Sequence, residues 1–112
     1  MDSINYDYAK TVEGFFAPED QWENVFPTIM PNWDRTARVG KADGVYLNST
    51  PEAFKEHLHQ ACELVKDKEA EHRVIIIKSW NEWAEGNYLE PDSLYGKQYL
   101  DVIKQELSLH AL

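Results

Sequence analysis

Four consecutive β-branched residues, Val74-Ile75-Ile76-Ile77, constrain this chain more than any other stretch. Framed by Arg73 and Lys78, they do not alternate with polar residues. A strand of that kind asks for burial on both faces, which a parallel sheet covered by helices provides. Just upstream, Asn48-Ser49-Thr50-Pro51-Glu52 starts a helix. Ser49 or Thr50 can cap it, Pro51 suits its first turn, and Glu52 closes a capping box if Ser49 is the cap. Phe54, Leu58, Ala61 and Val65 follow at steps of four, three and four, one apolar stripe of an amphipathic helix. The helix is expected to end within 66–70. Asn48-Ser49-Thr50 also matches a glycosylation sequon, but without a secretory signal the cap reading is preferred.

The rest of the chain fits the same alternation. Val25 to Met30 reads as a short strand with Pro27 and Pro31 marking an edge or its ends. Pro31 to Arg38 is an unpatterned loop, which Gly40 and Gly44 prolong to a possible strand at Val45-Tyr46-Leu47. Residues 1–24 are expected to be irregular apart from one helix carrying Val12, Phe15 and Phe16. Residues 79–91 read as a loop, and Asp92 or Ser93 as the cap of a last helix with Tyr95, Tyr99 and Val102 on its apolar stripe. Alternation of strands and helices places the chain in the α/β class, with parallel strands joined by βα crossovers. With 112 residues it can hold two or three βα units of a (β/α)8 barrel, not the about 200–250 residues of a closed one.

Charge and cysteine content exclude several functions. Lys and Arg number 11 against 20 Asp and Glu, a net charge of −9, which argues against gripping nucleic acid or an anionic membrane by charge. No apolar run approaches the roughly 18–20 residues of a membrane span. The acidic N-terminus does not read as a secretory signal, so a cytoplasmic location is expected. A single cysteine, Cys62, forms no internal disulfide and no multi-cysteine zinc site, and its place on the helix marks it as a buried, inert thiol. No cofactor and no metal are expected. His57, His59, His72 and His110 stand in no motif and are assigned surface or packing roles.

In a parallel sheet, sites form where loops leave the C-terminal ends of strands. Two loops qualify, Asn32-Trp33-Asp34-Arg35 and Ser79 to Tyr88. The second brings Glu82 and Glu85 three residues apart, among Trp80, Trp83 and Tyr88. Paired carboxylates beside aromatic faces suit sugar chemistry: one acid protonates a leaving oxygen while the other acts as base or nucleophile. Aromatic cover and like-charge proximity would raise one of the two pKa values. Indole rings stack on the C–H faces of sugars, and Asn81, Asn87 and Asp34 can bond hydroxyls.

The run Lys78-Ser79-Trp80-Asn81-Glu82-Trp83-Ala84-Glu85-Gly86-Asn87-Tyr88-Leu89-Glu90-Pro91-Asp92, followed by Tyr95-Gly96 and Tyr99-Leu100, resembles the C-terminal signature of the WbsX-type glycosyltransferases. These are bacterial lipopolysaccharide O-antigen and polysaccharide-biosynthesis proteins, also described as similar to glycoside hydrolase family 99, the endo-α-mannosidases. Pro31 to Arg38 resembles that family's Pro-Gly-Trp-Asp-Asn-Thr-x-Arg block, with Asn32 and Arg35 in place of Gly and Asn. Asn48-Ser49-Thr50-Pro51-Glu52 with Phe54 resembles its next block.

The resemblance implies the C-terminal portion of a barrel protein acting on a glycan or on a sugar donor and acceptor. By motif, Glu82 would act as base on the substrate 2-hydroxyl and Glu85 as general acid/base. Trp33, Asp34, Arg38, Trp80, Asn81, Trp83, Asn87 and Tyr88 would bind substrate. A fragment with open strand edges is expected to form a homo-oligomer. Several readings stay open on the sequence: glycosyl transfer, glycoside hydrolysis by the same two carboxylates, glycan binding without turnover, and a truncated fragment inactive on its own.

Overall fold

The longest element, helix α2 (Pro51–Val65), forms where the apolar stripe predicts it. Thr50 is its cap: the hydroxyl accepts from the Ala53 amide at 3.1 Å, and Pro51 occupies the first turn. Ser49 instead donates to the Tyr46 carbonyl at 3.4 Å, so Glu52 closes no box with it. Helix α2 buries Phe54, His57, Leu58, Ala61, Cys62 and Val65 and ends one residue before the expected window. It lies between helices α1 (Tyr8–Glu13) and α3 (Gln98–Leu109) and also packs on strand β2 (Thr28–Ile29). The computed structural model describes residues 5–34, 45–83 and 86–110. The loop prolonged by Gly40 and Gly44, Arg38 and Glu85 fall outside them.

The strands are short and paired in twos. Strand β2 runs parallel to β4 (Ile76–Ile77), with Thr28 opposite Ile76. Strands β1 (Asn5–Asp7) and β3 (Val45–Leu47) form a second parallel pair. Strands β5 (Asn81–Glu82) and β6 (Asn87–Tyr88) form an antiparallel hairpin. The architecture is mixed α/β with parallel pairing, as the alternation predicts. Among the described residues the pairs do not join into one sheet, so no continuous barrel wall is present.

Several expectations are corrected. Residues 5–7 form a strand that the polar sequence Asn-Tyr-Asp does not announce; its backbone finds a partner 40 residues away. The stretch 79–91 contains a hairpin, not an unbroken loop. Regular strand structure in 73–78 is confined to Ile76–Ile77, and its two faces differ. Ile75 and Ile77 pack against the core, whereas Val74 is 38% and Ile76 45% exposed. Among the described residues strand β4 is bonded on one side only, and none of their elements covers its second face.

Helix α3 begins at Gln98, and Asp92 does not cap it. Asp92 Oδ1 accepts instead from the Leu94 and Tyr95 amides at 3.0 and 2.6 Å, closing a turn ahead of the helix.

One core runs through the molecule, built from Tyr8, Val12, Ile29, Phe54, Leu58, Ala61, Leu89, Tyr99 and Val102. The Tyr8 hydroxyl donates to the Met30 carbonyl at 2.7 Å, tying α1 to the end of β2. Lys68 is buried, and its ammonium reaches the Asp20 and Val25 carbonyls at 3.0 and 2.6 Å, which pins the segment before β2 beneath the end of α2. Cys62 is fully buried, and burial pushes its thiol up to about 11, as an inert thiol requires. Among the described residues, no helix is long and apolar enough to cross a membrane.

Candidate functional site

Strand β2 leads into Asn32-Trp33-Asp34, and strand β4 leads through Lys78 into the β5–β6 hairpin. Because β2 and β4 are parallel neighbours, both segments leave the same end of the pair.

Asn32 fastens the two together. Its side-chain Oδ1 accepts from the Tyr88 amide at 2.9 Å, and its Nδ2 donates to the Tyr88 carbonyl at 3.4 Å. One amide side chain thus serves both backbone groups of Tyr88, as a neighbouring strand would. In return the fully buried Asn87 donates from Nδ2 to the Asn32 carbonyl.

The hairpin turn depends on Gly86. Its amide donates to the Trp83 carbonyl at 3.0 Å, and its φ of +59° is in the left-handed region. A Cβ there would also run into the Asp34 backbone, 2.8 Å from its nitrogen. This close approach seats the turn against the first loop.

The result is a cleft of about 520 Å³ between the two loops, the start of the chain after β3 and the turn before α3. Trp33, Asp34, Trp83 and Tyr88 line it, joined by Tyr46, Asn48, Asp92 and Tyr95. The Trp83 and Tyr88 rings stack 3.9 Å apart at 16°, and Trp83 Nε1 donates to Glu90 at 3.0 Å. The Lys78 ammonium sits 4.7 Å from the centre of the Trp33 ring, close enough for a cation–π contact. Burial, and then the Asp92 carboxylate beside it, push the Tyr88 phenol above its ordinary range. Burial and the neighbouring Tyr95 and Tyr88 do the same for Tyr99. The phenols therefore stay protonated and available as donors. An apolar ring platform flanked by carboxylates and amides matches a polyol with one C–H face and a hydroxyl rim.

Of the ten residues named from the sequence, four line this cleft: Trp33, Asp34, Trp83 and Tyr88. Asn87 lies buried beneath it and acts through Asn32. Trp80, Asn81 and Glu82 are exposed on the hairpin and are not part of the cleft lining. Glu82 is thus exposed among the described residues, on the hairpin rather than in the cleft lining. Glu85 and Arg38 lie outside the described residues.

Sequence reasoning missed Tyr46, Asn48 and Asp92. Tyr46 stands in no motif, and Asn48 and Asp92, although each belongs to a stretch that resembles the family, are given no binding role by the sequence. The left-handed backbone of Asn48 and the turn at Asp92 place two of them, and neither follows from hydropathy.

Comparison with known proteins follows the same lines. The sequence pattern of the family described as Glycosyltransferase WbsX matches residues 1–103. Two relatives, each described as uncharacterized protein WxcX and coming from two strains of Xanthomonas campestris pv. campestris, are 33% identical over 85 residues. That stretch is 75% of this chain and 12% of each relative, so the chain spans a small part of the relatives it matches. No solved structure gives a significant match.

Proposed function

The chain belongs to the WbsX glycosyltransferase family, and from that premise we propose that it forms the C-terminal, glycan-contacting part of a polysaccharide-biosynthesis enzyme. One observation carries the reading: the aromatic cleft at the end of the parallel β2–β4 pair, with Trp33 and the stacked Trp83–Tyr88 as ring platforms and Asp34 and Asp92 at its rim. Sugar rings bind such platforms through their C–H faces, while carboxylates and phenols bond the hydroxyls.

In this reading Glu82 and Glu85 carry the chemistry. Glu82 takes the proton of the sugar 2-hydroxyl as that oxygen displaces the leaving group, and Glu85 delivers a proton to the departing oxygen. An acceptor hydroxyl then attacks the anomeric carbon and gives its proton to Glu85, while the bond from that carbon to the 2-oxygen breaks and the 2-oxygen takes its proton back from Glu82. Water in the acceptor's place gives hydrolysis. The β2–β4 pair would belong to the wall of a (β/α)8 barrel whose other strands lie elsewhere in the whole protein, and the uncovered face of Ile76 and Val74 is consistent with such a neighbour or with a second copy of this chain. A homo-oligomer predicts a melting temperature that rises with protein concentration; a melt unchanged over a hundredfold dilution removes it.

The test is turnover and binding of α-mannosyl oligosaccharides, with and without an activated sugar donor, by the whole protein that carries this sequence. Glu82→Gln and Glu85→Gln are expected to abolish turnover and keep binding, and Trp83→Ala to weaken binding. A second reading, binding without catalysis, is favoured by the exposure of Glu82 outside the cleft lining. It predicts that wild type binds without turning over and that the two Gln variants bind equally well.

A further inference from the structure

His59, Glu106 and His110 meet on the side of the molecule where α2 and α3 pack, and the cleft does not use them. His59 comes from α2 and Glu106 from α3, with His110 one turn further on. The His59 Nδ1 lies 3.2 Å from Glu106 Oε2 and 3.3 Å from His110 Nε2, and that Nε2 lies 3.4 Å from the same carboxylate oxygen.

Three potential ligand atoms thus form a nearly equilateral triangle. Protons satisfy it poorly. Two N–H groups can both point at Oε2, but they then face each other across the third edge. A cation above the triangle satisfies all three atoms at once. The size also fits: ligand atoms about 2.0–2.1 Å from a tetrahedral zinc stand about 3.3–3.4 Å apart.

We propose that His59, Glu106 and His110 form a divalent transition-metal site of zinc type, with His₂Glu ligation and a fourth position open to solvent. Glu106 is 2% exposed, and its nearest polar partners among the described residues are the two imidazoles. A buried carboxylate held this way is the usual environment of an anionic ligand. Glu63 Oε1 sits 3.8 Å from His110 Nδ1, at ion-pair rather than hydrogen-bond distance, on the side of the ring away from Glu106. Lys66 bonds the other Glu63 oxygen at 2.6 Å and holds that carboxylate in place. His59 is 41% exposed and borders a cleft of about 330 Å³ with Glu106, which gives the ion a route in and leaves room for a water ligand. The site would staple α3 to α2 across 47 residues of chain.

The experiment uses the intact, untagged chain, stripped with chelator and titrated with Co²⁺ and then Zn²⁺. The expected result is one Co²⁺ per chain with the visible bands of tetrahedral coordination, displacement by one equivalent of Zn²⁺, and a melting temperature raised by Zn²⁺. His59→Gln and His110→Gln are expected to weaken binding by ~tenfold or more. His72→Gln, in the exposed Glu69–Glu71–His72 group, should leave it unchanged. Should His110→Gln fail to fold, the half-exposed His59 carries the test. Absence of stoichiometric binding overturns the proposal. So does binding that survives His59→Gln, binding lost in His72→Gln, or a destabilised His59→Gln whose wild-type parent melts identically with and without metal.

Discussion

The two halves of this molecule are held by different forces. The helical half, α1 to α3, is an apolar contact: Phe54, Leu58, Ala61, Tyr99 and Val102 are buried together, with Phe54 and Tyr99 rings 5.4 Å apart. The cleft half is held by polar side chains on backbone groups, Asn32 on Tyr88 and Asn87 on Asn32, and by one glycine. Apolar burial is non-directional, so many similar residues would serve in the first half. Hydrogen bonds to a fixed backbone require one residue type at one place, so the second half tolerates little.

Four measurements break or sharpen that contrast. Phe54→Ala, at a fully buried position, should cost about 3–5 kcal/mol in chemical denaturation. Because one core runs through both halves, the far-UV signal and the fluorescence of the cleft tryptophans should be lost together; separate transitions would show that the halves fold independently.

Acid comes next. Burial holds His57 down at about 4, and its Nε2 accepts from the Met30 amide at 3.2 Å, so it is neutral in the folded state. Unfolded, it binds a proton near 6.5. Stability from this group is therefore complete above pH 6.5 and lost as pH falls towards 4, by about 3 kcal/mol at most. His57→Gln should flatten that part of the stability profile relative to wild type; an unchanged slope refutes the assignment.

Gly86→Ala should cost about 1–2 kcal/mol for the left-handed backbone alone, and the collision with Asp34 adds to it. Loss of sugar binding with helical circular dichroism intact would place the damage in the cleft half. Equal damage to both would erase the distinction. Smallest is Thr50→Ala, a lost cap worth about 1 kcal/mol, expected to lower the melting temperature and to leave the proposed sugar binding unchanged.

The same contrast decides what could be read in advance. Helix α2 was legible to within a residue because its stripe and its cap are local signals. Parallel pairing followed from strand–helix alternation, while the choice of 28–29 as the partner of 76–77 did not. The hairpin was hidden because its strands are two residues each and polar, and the close approach of Gly86 to the Asp34 backbone lies across more than 50 residues. Strand β1 was hidden because Asn5-Tyr6-Asp7 has no strand composition. Val74 and Ile76 misled for the opposite reason: their composition asks for cover that the described residues do not supply. The carboxylate pair was visible as spacing, yet spacing says nothing of exposure, and Glu82 proves to be exposed.

By itself the sequence determined the α/β class, the long capped helix and its apolar face, the family and the two candidate loops. Hydropathy periods, caps and motifs are written in neighbouring residues. Only the tertiary structure decided which aromatic rings share a cleft, that Asn32 stands in for a strand, and that His59, Glu106 and His110 converge. Those outcomes depend on distances between residues far apart in the chain, which packing sets and local sequence does not encode.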